Sequence, residues 1–263
     1  MKSCVVVLPC FNEADRLRPS ELLRLARHPA MRLICVDDGS TDATAAILEA
    51  AKAKAPDSIS VLHRGENGGR GAAVRDGMRR AVAEGAQMIG FLDADLAAPV
   101  EEMMRLHAVL ATSEAQAVMG ARVRRLGANI ARTSARRLLG RTFASLASLA
   151  IDVPLYDTQC GAKLFRAGPE LEAALAEPFV AKWTFDVELI ARLYHGGPGA
   201  PALGPEAFIE VPLEHWHDVA GSKLTGRDAM RALVDLAIVG LQTRTRRKKA
   251  PAREAPRRRS AAA

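Results

Sequence analysis

The sequence lacks any apolar run long enough to cross a membrane. Its longest uncharged and mostly apolar stretches are residues 142–151 and 236–243, which fall well short of the ~20 residues that a membrane-spanning helix needs. The apolar run near the N-terminus is also short and ends at Pro9, which is not typical of a signal peptide. We therefore expect no membrane-spanning helix, and we expect a cytoplasmic location.

The sequence is also poor in aromatic side chains and in cysteine. Phe, Trp and Tyr make up 4% of the residues, and the four cysteines include no C-x-x-C pair. Three of the cysteines lie in or beside apolar runs, where a free cysteine behaves as a small buried hydrophobe. We expect all four to be reduced.

Basic residues are concentrated at one end of the chain. The net charge is +7, but residues 1–243 hold 28 basic and 29 acidic residues, whereas residues 244–263 hold nine Lys or Arg and one Glu. The terminal segment has no apolar periodicity, so we expect a domain of residues 1–243 followed by a disordered basic tail. No groove-reading motif or aromatic platform accompanies the charge, which argues against specific nucleic-acid binding. The tail is either solvated or attracted to an anionic membrane surface.

Short apolar runs alternate with helical patterns over the first 120 residues. The runs predict strands at residues 3–8, 32–36, 58–62, 88–92 and 117–119, and the patterns between them predict helices at 20–28, 42–54, 71–84 and 100–112. This alternation predicts an α/β fold with a single, mainly parallel sheet and helices on both faces. A strand at 208–211 and a last helix from Arg227 follow later in the chain. In such a sheet, ligands bind at the carboxyl ends of the strands.

Polar, acidic or glycine-rich turns follow the first four predicted strands. The turns are PCFNE (9–13), VDDGSTD (36–42), GENGGRG (65–71) and DAD (93–95). Two carboxylates that are two residues apart after a strand can hold a hard cation together with phosphate oxygens. A lone D-x-D is as typical of a solvated turn, and the glycine-rich turn lacks the Lys-Ser/Thr of a P-loop. All four turns are expected at the same edge of the sheet, and this common location favours a nucleotide site.

These four motifs, in this order and spacing, resemble those of the family 2 glycosyltransferases of the GT-A fold. Three motifs of the second half are similar to the polyprenyl-phosphate glycosyltransferases of that family, dolichyl-phosphate β-glucosyltransferases in particular: DTQCGAKLF (157–165), WTFDVEL (183–189) and W-H-x-x-x-G-S-K-L (216–224). The resemblance implies an inverting, metal-dependent transfer of a hexose to a polyprenyl (dolichyl-type) phosphate. The donor it implies is a nucleotide-diphosphate sugar of the UDP-glucose or GDP-mannose type.

The resemblance also implies residue roles on the donor side. The residues that it assigns to the donor are Pro9, Phe11, Glu13, Asp37, Arg70 and Asp93. It assigns Mg²⁺ or Mn²⁺ to Asp93 and Asp95, and Asp95 is the surer ligand. Mannosyl relatives often have a ligating Gln two residues further on, where this chain has Ala97. The third protein ligand therefore stays open, with His217 as one candidate.

On the acceptor side, the resemblance assigns the phosphate to Arg122, Lys163 and Lys223. It assigns catalysis to Asp95, Asp186 and Lys223. Asp186 and Glu188 are two residues apart on a presumed helix, so they cannot share a face, and we prefer Asp186 as the one directed at the substrates.

Two alternatives to the phosphate acceptor stay open. A phosphate monoester is already anionic near neutral pH, so that stabilisation of the leaving group dominates and no strong base is needed. A hydroxyl acceptor on a soluble molecule or a protein would need a carboxylate base, for which Asp157 and Asp186 are the candidates. A non-catalytic scaffold that binds nucleotide sugars is the other alternative, against which the intact acidic motifs argue.

Two amphipathic stretches are candidates for contact with a lipid surface in a chain without membrane spans. In residues 139–150 apolar or small side chains recur on one helix face behind a group of arginines, and residues 232–241 lead directly into the basic tail. These faces either pack on the sheet or lie in a membrane interface. We predict peripheral binding to an anionic membrane surface at the cytoplasmic face, weakened by salt and by deletion of residues 244–263.

Overall fold

The structure is a computed structural model that describes residues 3–131, 134–197, 200–217, 219 and 226–249. Its strands are β1 (Cys4–Cys10), β2 (Met31–Asp37), β3 (Ile59–His63), β4 (Met88–Leu92), β5 (Ala117–Ala121), β6 (Asn129–Ala131), β7 (Ala162–Arg166), β8 (Phe208–Pro212) and β9 (His215–His217). Its helices are α1 (Pro19–Ala26), α2 (Thr44–Lys54), α3 (Arg70–Ala83), α4 (Val100–Thr112), α5 (Ser134–Ile151), α6 (Pro169–Ala176), α7 (Phe185–His195) and α8 (Gly226–Lys249).

The central sheet has seven strands in the order β3-β2-β1-β4-β7-β5-β8. β7 runs antiparallel to both of its neighbours, and the other pairings in this sheet are parallel. The predicted α/β fold with a mainly parallel sheet is confirmed. The expectation of a single sheet is wrong in one detail, because β6 and β9 form a separate two-stranded sheet. These strands have three residues each and are partly exposed, so that they carry no apolar signal.

The apolar runs form strands because both faces of the sheet are covered. Along β1, Val6 and Leu8 pack in one hydrophobic cluster, which includes residues of α1 and α4. Val5 and Val7 pack in a second cluster on the other face, with residues of α3 and α7. A strand that is buried on both faces is apolar at consecutive positions, which is the pattern of β1. A third cluster joins α5, α7 and α8.

The last helix is longer than the sequence pattern predicts. α8 extends to Lys249, so the predicted start of the tail at residue 244 falls inside the helix. Thr243 is buried, and Arg246 lies 3.7 Å from Glu177, which continues the packed face into this last part of the helix. Residues 250–263 lie outside the described part of the chain. None of the described helices is long and apolar enough to span a membrane.

Candidate active site

The acidic turns meet at one edge of the sheet. β1 pairs in parallel with β2 on one side and with β4 on the other, so the segments that follow these three strands lie side by side. Glu13 and Asp93 are in these segments, and Asp37 is the last residue of β2. β5 also ends at this edge, and Arg122 follows it. The strand pairing therefore brings the polar groups together at the carboxyl ends of the strands, as predicted.

The D-x-D turn after β4 is held in place by its neighbours. The Asp93 N–H donates to the Gly161 carbonyl at 3.0 Å, and Asp93 Oδ1 lies 2.5 Å from Arg70 Nη2. Asp95 Oδ1 accepts a 3.0 Å hydrogen bond from the Ala97 N–H. Gly161 contacts Asp93 so closely that an added Cβ would lie 1.8 Å from Oδ2. The positions of both carboxylates are thus fixed by the chain itself.

Negative charge accumulates around this turn. Burial raises the pKa of Asp93, Arg70 lowers it, and the charge of Asp95 raises it further. Burial also raises the pKa of Glu13, which the charges of both aspartates raise and Arg16 lowers. Like charges that destabilise one another in a partly buried site are relieved by a bound cation.

Asp93 and Asp95 fit a hard divalent cation whose shell is completed by substrate. Among the described residues, no group of three His, Cys, Asp or Glu side chains could hold a metal ion. Mg²⁺ commonly binds through one or two carboxylates together with phosphate oxygens and water, which is the donor set that this turn offers. The His217 N–H donates to the Ala97 carbonyl at 3.0 Å, so His217 adjoins the turn through its backbone.

The two aspartates at the end of β2, Asp37 and Asp38, have different surroundings. Asp38 accepts from the N–H groups of Gly68 and Gly69 at 3.0 and 2.8 Å and from Arg64 Nη1 at 2.6 Å. It therefore holds the glycine-rich turn, a role that the sequence did not assign. Asp37 accepts from the Ser40 N–H at 3.1 Å, and its Oδ2 lies 3.1 Å from His63 Nδ1.

Glu13 and Arg70 each have a buried polar atom at this edge without a protein partner among the described residues. Within the part of the chain that the structure describes, Glu13 Oε2 and Arg70 Nε are buried without a hydrogen-bond partner. The Arg70 guanidinium lies over the rings of Phe91 and Phe185, at 5.9 and 5.2 Å from their centres. A buried polar atom without a partner is costly unless a ligand satisfies it. The free atoms of Glu13 and Arg70 agree with their predicted place in a donor site, which stays a prediction.

The remaining predicted donor residues lie at the same edge. Pro9 is part of β1 and pairs with Val36 of β2, and Phe11 follows the strand with 42% of its surface exposed. A half-exposed ring beside a carboxylate can stack on a nucleobase. The structure thus brings the six predicted donor residues together, although their roles stay a prediction.

Lys163 and Asp186 form a buried ion pair under the D-x-D turn. Lys163 Nζ lies 3.2 Å from Asp186 Oδ2 and donates to the Cys160 carbonyl at 2.6 Å. Neither side chain is more than 1% exposed. Lys163 therefore does not reach an acceptor phosphate in this structure, and both residues are placed to position the neighbouring loop. Lys223, the other predicted cation, lies outside the described residues.

The prediction that Asp186 and Glu188 point to different faces of one helix is confirmed. Asp186 faces β7 through Lys163. Glu188 binds Arg192 at 2.6 Å and accepts from the N–H groups of Val180 and Ala181, both at 2.9 Å. Glu188 is thus fully occupied in packing α7.

A basic cavity of about 210 Å³ opens beyond β5, at the edge of the sheet that carries the D-x-D turn. Its lining residues are Arg122, Arg124, Ile130, Gly140, Arg141, Tyr156 and Asp157. Of these residues, only Arg122 is predicted from the sequence to bind the acceptor. The position of Arg124 two residues after Arg122 is a sequence signal for that residue, but no local pattern indicates Arg141 or Tyr156.

Asp157 orients the first arginine of this cavity. Its carboxylate accepts from Nε and Nη2 of Arg122 at 2.6 and 2.7 Å, and the guanidinium also lies 5.4 Å from the centre of the Trp216 ring. Burial raises the pKa of Asp157, but the charge and hydrogen bonds of Arg122 outweigh it and lower the pKa to about 2. Arg141 lies 5.5 Å from the centre of the Tyr156 ring. The cavity therefore presents oriented cations.

Comparison with known proteins identifies the family to which this chain belongs. The sequence profile of "Glycosyl transferase family 2" matches residues 5–169. A dolichyl-phosphate beta-glucosyltransferase of Trichomonas vaginalis is 31% identical over 255 residues, which cover 90% of this chain and 71% of the relative. A polyprenol monophosphomannose synthase of Mycolicibacterium smegmatis is 26% identical over 91% of this chain and 88% of its own length.

Solved structures share the fold. Glucosyl-3-phosphoglycerate synthase from Mycobacterium tuberculosis, in complex with uridine diphosphate, superposes with a TM-score of 0.65 at 20% identity and covers 91% of this chain and 80% of its own. A mannosyltransferase from Pyrobaculum calidifontis, in complex with GDP-Man and Mn²⁺, has a TM-score of 0.59 at 17% identity and covers 95% and 66%. The profile match spans more than half of the chain, and the first relative is similar along most of both lengths. This chain therefore belongs to glycosyl transferase family 2.

Proposed function

We propose that this glycosyltransferase moves a hexose from a nucleotide-diphosphate sugar to a polyprenyl phosphate, with inversion at the anomeric carbon. The names of the two relatives, a dolichyl-phosphate glucosyltransferase and a polyprenol monophosphomannose synthase, support an acceptor of this class. The observation that carries the proposal is the arginine-lined cavity at the edge that also holds the D-x-D turn.

The donor occupies the ends of β1, β2 and β4 in this proposal. Asp37 and the half-exposed Phe11 contact the base and ribose, and Glu13 and Arg70 satisfy their buried polar atoms with the donor. Arg70 also counters charge on the diphosphate, since a guanidinium pairs well with phosphate oxygens. When bound by Asp93 and Asp95, Mg²⁺ or Mn²⁺ supplies further positive charge to the leaving nucleoside diphosphate. Solved members of the fold with Mn²⁺ and a nucleotide or a nucleotide sugar are consistent with this metal use.

The acceptor phosphate occupies the basic cavity. Arg122, held by Asp157, and the exposed Arg141 provide two cations to its oxygens. The phosphate oxygen attacks the sugar C1, the bond from C1 to the diphosphate breaks, and the nucleoside diphosphate leaves with the bonding electrons. A phosphate monoester carries ≈ −1.5 to −2 charges at pH 7, so its oxygen needs no base.

The two candidates for the carboxylate base that a hydroxyl acceptor would need are already engaged. Asp157 is ion-paired, and its pKa of about 2 makes it a weak base. Asp186 is buried against Lys163. A general base works best when its pKa lies near the operating pH. These surroundings favour the phosphate acceptor over a hydroxyl acceptor, and a lipid acceptor in turn implies peripheral membrane association.

The proposal is tested with a panel of donors and one short polyprenyl phosphate. The protein is incubated with UDP-glucose, GDP-mannose and other nucleotide sugars in the presence of Mn²⁺, and the lipid fraction is analysed by mass spectrometry. We expect one donor to give a lipid phosphate heavier by one hexose residue, with the opposite anomeric configuration. Hydrolysis of the donors without any lipid product would overturn the proposal.

A further inference from the structure

α8 has an apolar face on its solvent side as well as on its packed side. Its buried residues are Ala232, Leu236, Val239, Gly240 and Thr243. On the opposite face lie five exposed apolar residues, which we call the α8 stripe: Met230, Leu233, Val234, Ala237 and Leu241. Four of them are 44–64% exposed. A surface helix of a soluble protein normally has polar residues on this face.

The spacing makes the stripe continuous. Leu233 and Val234 are adjacent in sequence, and each is three or four residues from Met230 and Ala237, which Leu241 follows four residues later, so the members lie on one side of the helix over three turns. Large apolar side chains that are scattered singly over a surface need no explanation, whereas contiguous patches mark interaction sites. The α8 stripe is a contiguous patch.

Positive charge follows the apolar stripe along the same helix. Arg244 is exposed and lies three residues after Leu241, on the same face. In sequence, Arg247, Lys248 and Lys249 complete the helix, and further arginines follow beyond it. An apolar helix face that is flanked by cations is typical of a helix in the interface of an anionic membrane.

α5 connects this surface to the basic cavity. Gly140 and Arg141 of α5 line that cavity, and further along the same helix Leu146 and Leu149 are exposed, Leu149 by 79%. α5 packs directly against α8, where a Cβ added to Gly240 would lie 3.2 Å from the Ala150 carbonyl oxygen. One pair of packed helices therefore carries the cavity, two exposed leucines and the α8 stripe.

We propose that the α8 stripe, with Leu146 and Leu149 of α5, docks on an anionic lipid surface. This inference rests on the proposed function, because docking there would bring the basic cavity next to a membrane-embedded acceptor. A second copy of the chain would present the same stripe, which contains no acidic residue, whereas an anionic lipid surface supplies charge opposite to that of Arg244. The charge pattern therefore favours lipid over a second copy of the chain.

The test measures partitioning of the full chain onto vesicles. Wild-type protein and the variant L233Q/V234Q/L241Q are sedimented with vesicles of phosphatidylcholine containing phosphatidylglycerol, and with vesicles of phosphatidylcholine alone. We expect the wild type to prefer the anionic vesicles, and we expect the glutamine variant to partition at least tenfold less. All three positions are exposed, so the substitutions leave the packed face of α8 intact.

Two matched controls separate this role from a general effect. The variant L233M/V234I/L241M keeps apolar side chains at the same positions and should bind vesicles as the wild type does. R244E should weaken binding at low salt, whereas K54E makes the same charge change on an exposed residue of α2 and should not.

Equal vesicle partitioning of the glutamine variant and the wild type would overturn the proposal. A wild-type dimer that the glutamine substitutions dissociate, with vesicle binding unchanged, would also overturn it and would assign the stripe to a second copy. Transfer to a short polyprenyl phosphate in detergent reports the proposed function separately. We expect that transfer to be the same in the glutamine variant, and its absence from the wild type would contradict the function without affecting the vesicle result.

Discussion

Gly161 determines where the carboxylate of Asp93 can lie. A Cβ at residue 161 would be 1.8 Å from Asp93 Oδ2, and the carbonyl of the same glycine accepts the 3.0 Å hydrogen bond from the Asp93 N–H. The loop before β7 and the turn after β4 are thus one unit, although they are far apart in sequence.

Replacing Gly161 by alanine should displace Asp93 and reduce turnover at least about 100-fold, since small misplacements at a reacting centre can cost 10²-fold in rate. The control is G65A, because a Cβ on Gly65 has no atom within 4 Å, and it should keep most of the activity. Steady-state turnover of both variants tests this. Wild-type activity in G161A would show that the position of Asp93 is not critical.

Asp95→Asn should abolish turnover and leave the fold intact. Asn keeps an oxygen that can accept from the Ala97 N–H, as Asp95 Oδ1 does at 3.0 Å, but it removes the charge that a divalent cation needs. The matched control is D57N, at an exposed turn before β3. Activity and thermal unfolding are measured for both. Near-normal activity in D95N, or full wild-type activity in excess chelator, would rule out the metal role.

Arg141→Ala should raise the acceptor KM about tenfold or more, because a hydrogen bond to a charged group contributes ≈ 1.5–3 kcal/mol. The donor KM should change little. R125A provides the control, since Arg125 is also exposed and near the cavity in sequence but does not line it. Initial rates over a range of acceptor concentrations measure the effect. A change confined to the donor KM would show that Arg141 acts on the donor and would contradict its assignment to the acceptor.

The Arg122–Asp157 pair should make stability depend on pH in the acid range. The pKa of Asp157 is lowered from 3.8 to about 2, so its contribution is fully present above pH 3.8 and is lost as the pH falls towards 2. This shift corresponds to about 2 kcal/mol. The difference in unfolding free energy between the wild type and D157N should shrink by that amount from pH 5 to pH 2. A constant difference would contradict the assigned pairing.

The sequence is most informative where burial is continuous. The runs that form β1 and β4 are apolar because both faces of the sheet are covered, so the predicted strands agree with the observed ones within a few residues. β7 is not among the predicted strands. Its second residue, Lys163, is charged, and inside the fold this charge is paired with Asp186, which lies 23 residues later in the sequence. A local pattern does not carry such a long-range pair.

The candidate site, too, is predictable from the sequence only where its residues belong to a local motif. The D-x-D turn is predictable because it follows an apolar strand, and its motif is local. Lys163 is assigned to the acceptor phosphate on the sequence, whereas the structure buries it, because its charge is satisfied inside the fold. Arg141 and Tyr156 reach the basic cavity from α5 and the segment after it, and only the packing of these segments beside β5 brings them to Arg122.

The chemistry of the acceptor is tested most directly by comparing a polyprenyl phosphate with the corresponding polyprenol. Wild-type protein, the preferred nucleotide sugar and Mn²⁺ are combined with equal amounts of the two lipids, and the products are resolved by mass spectrometry. We expect the hexose to be found on the phosphate alone. Transfer to the polyprenol hydroxyl at a comparable rate would contradict the proposed function.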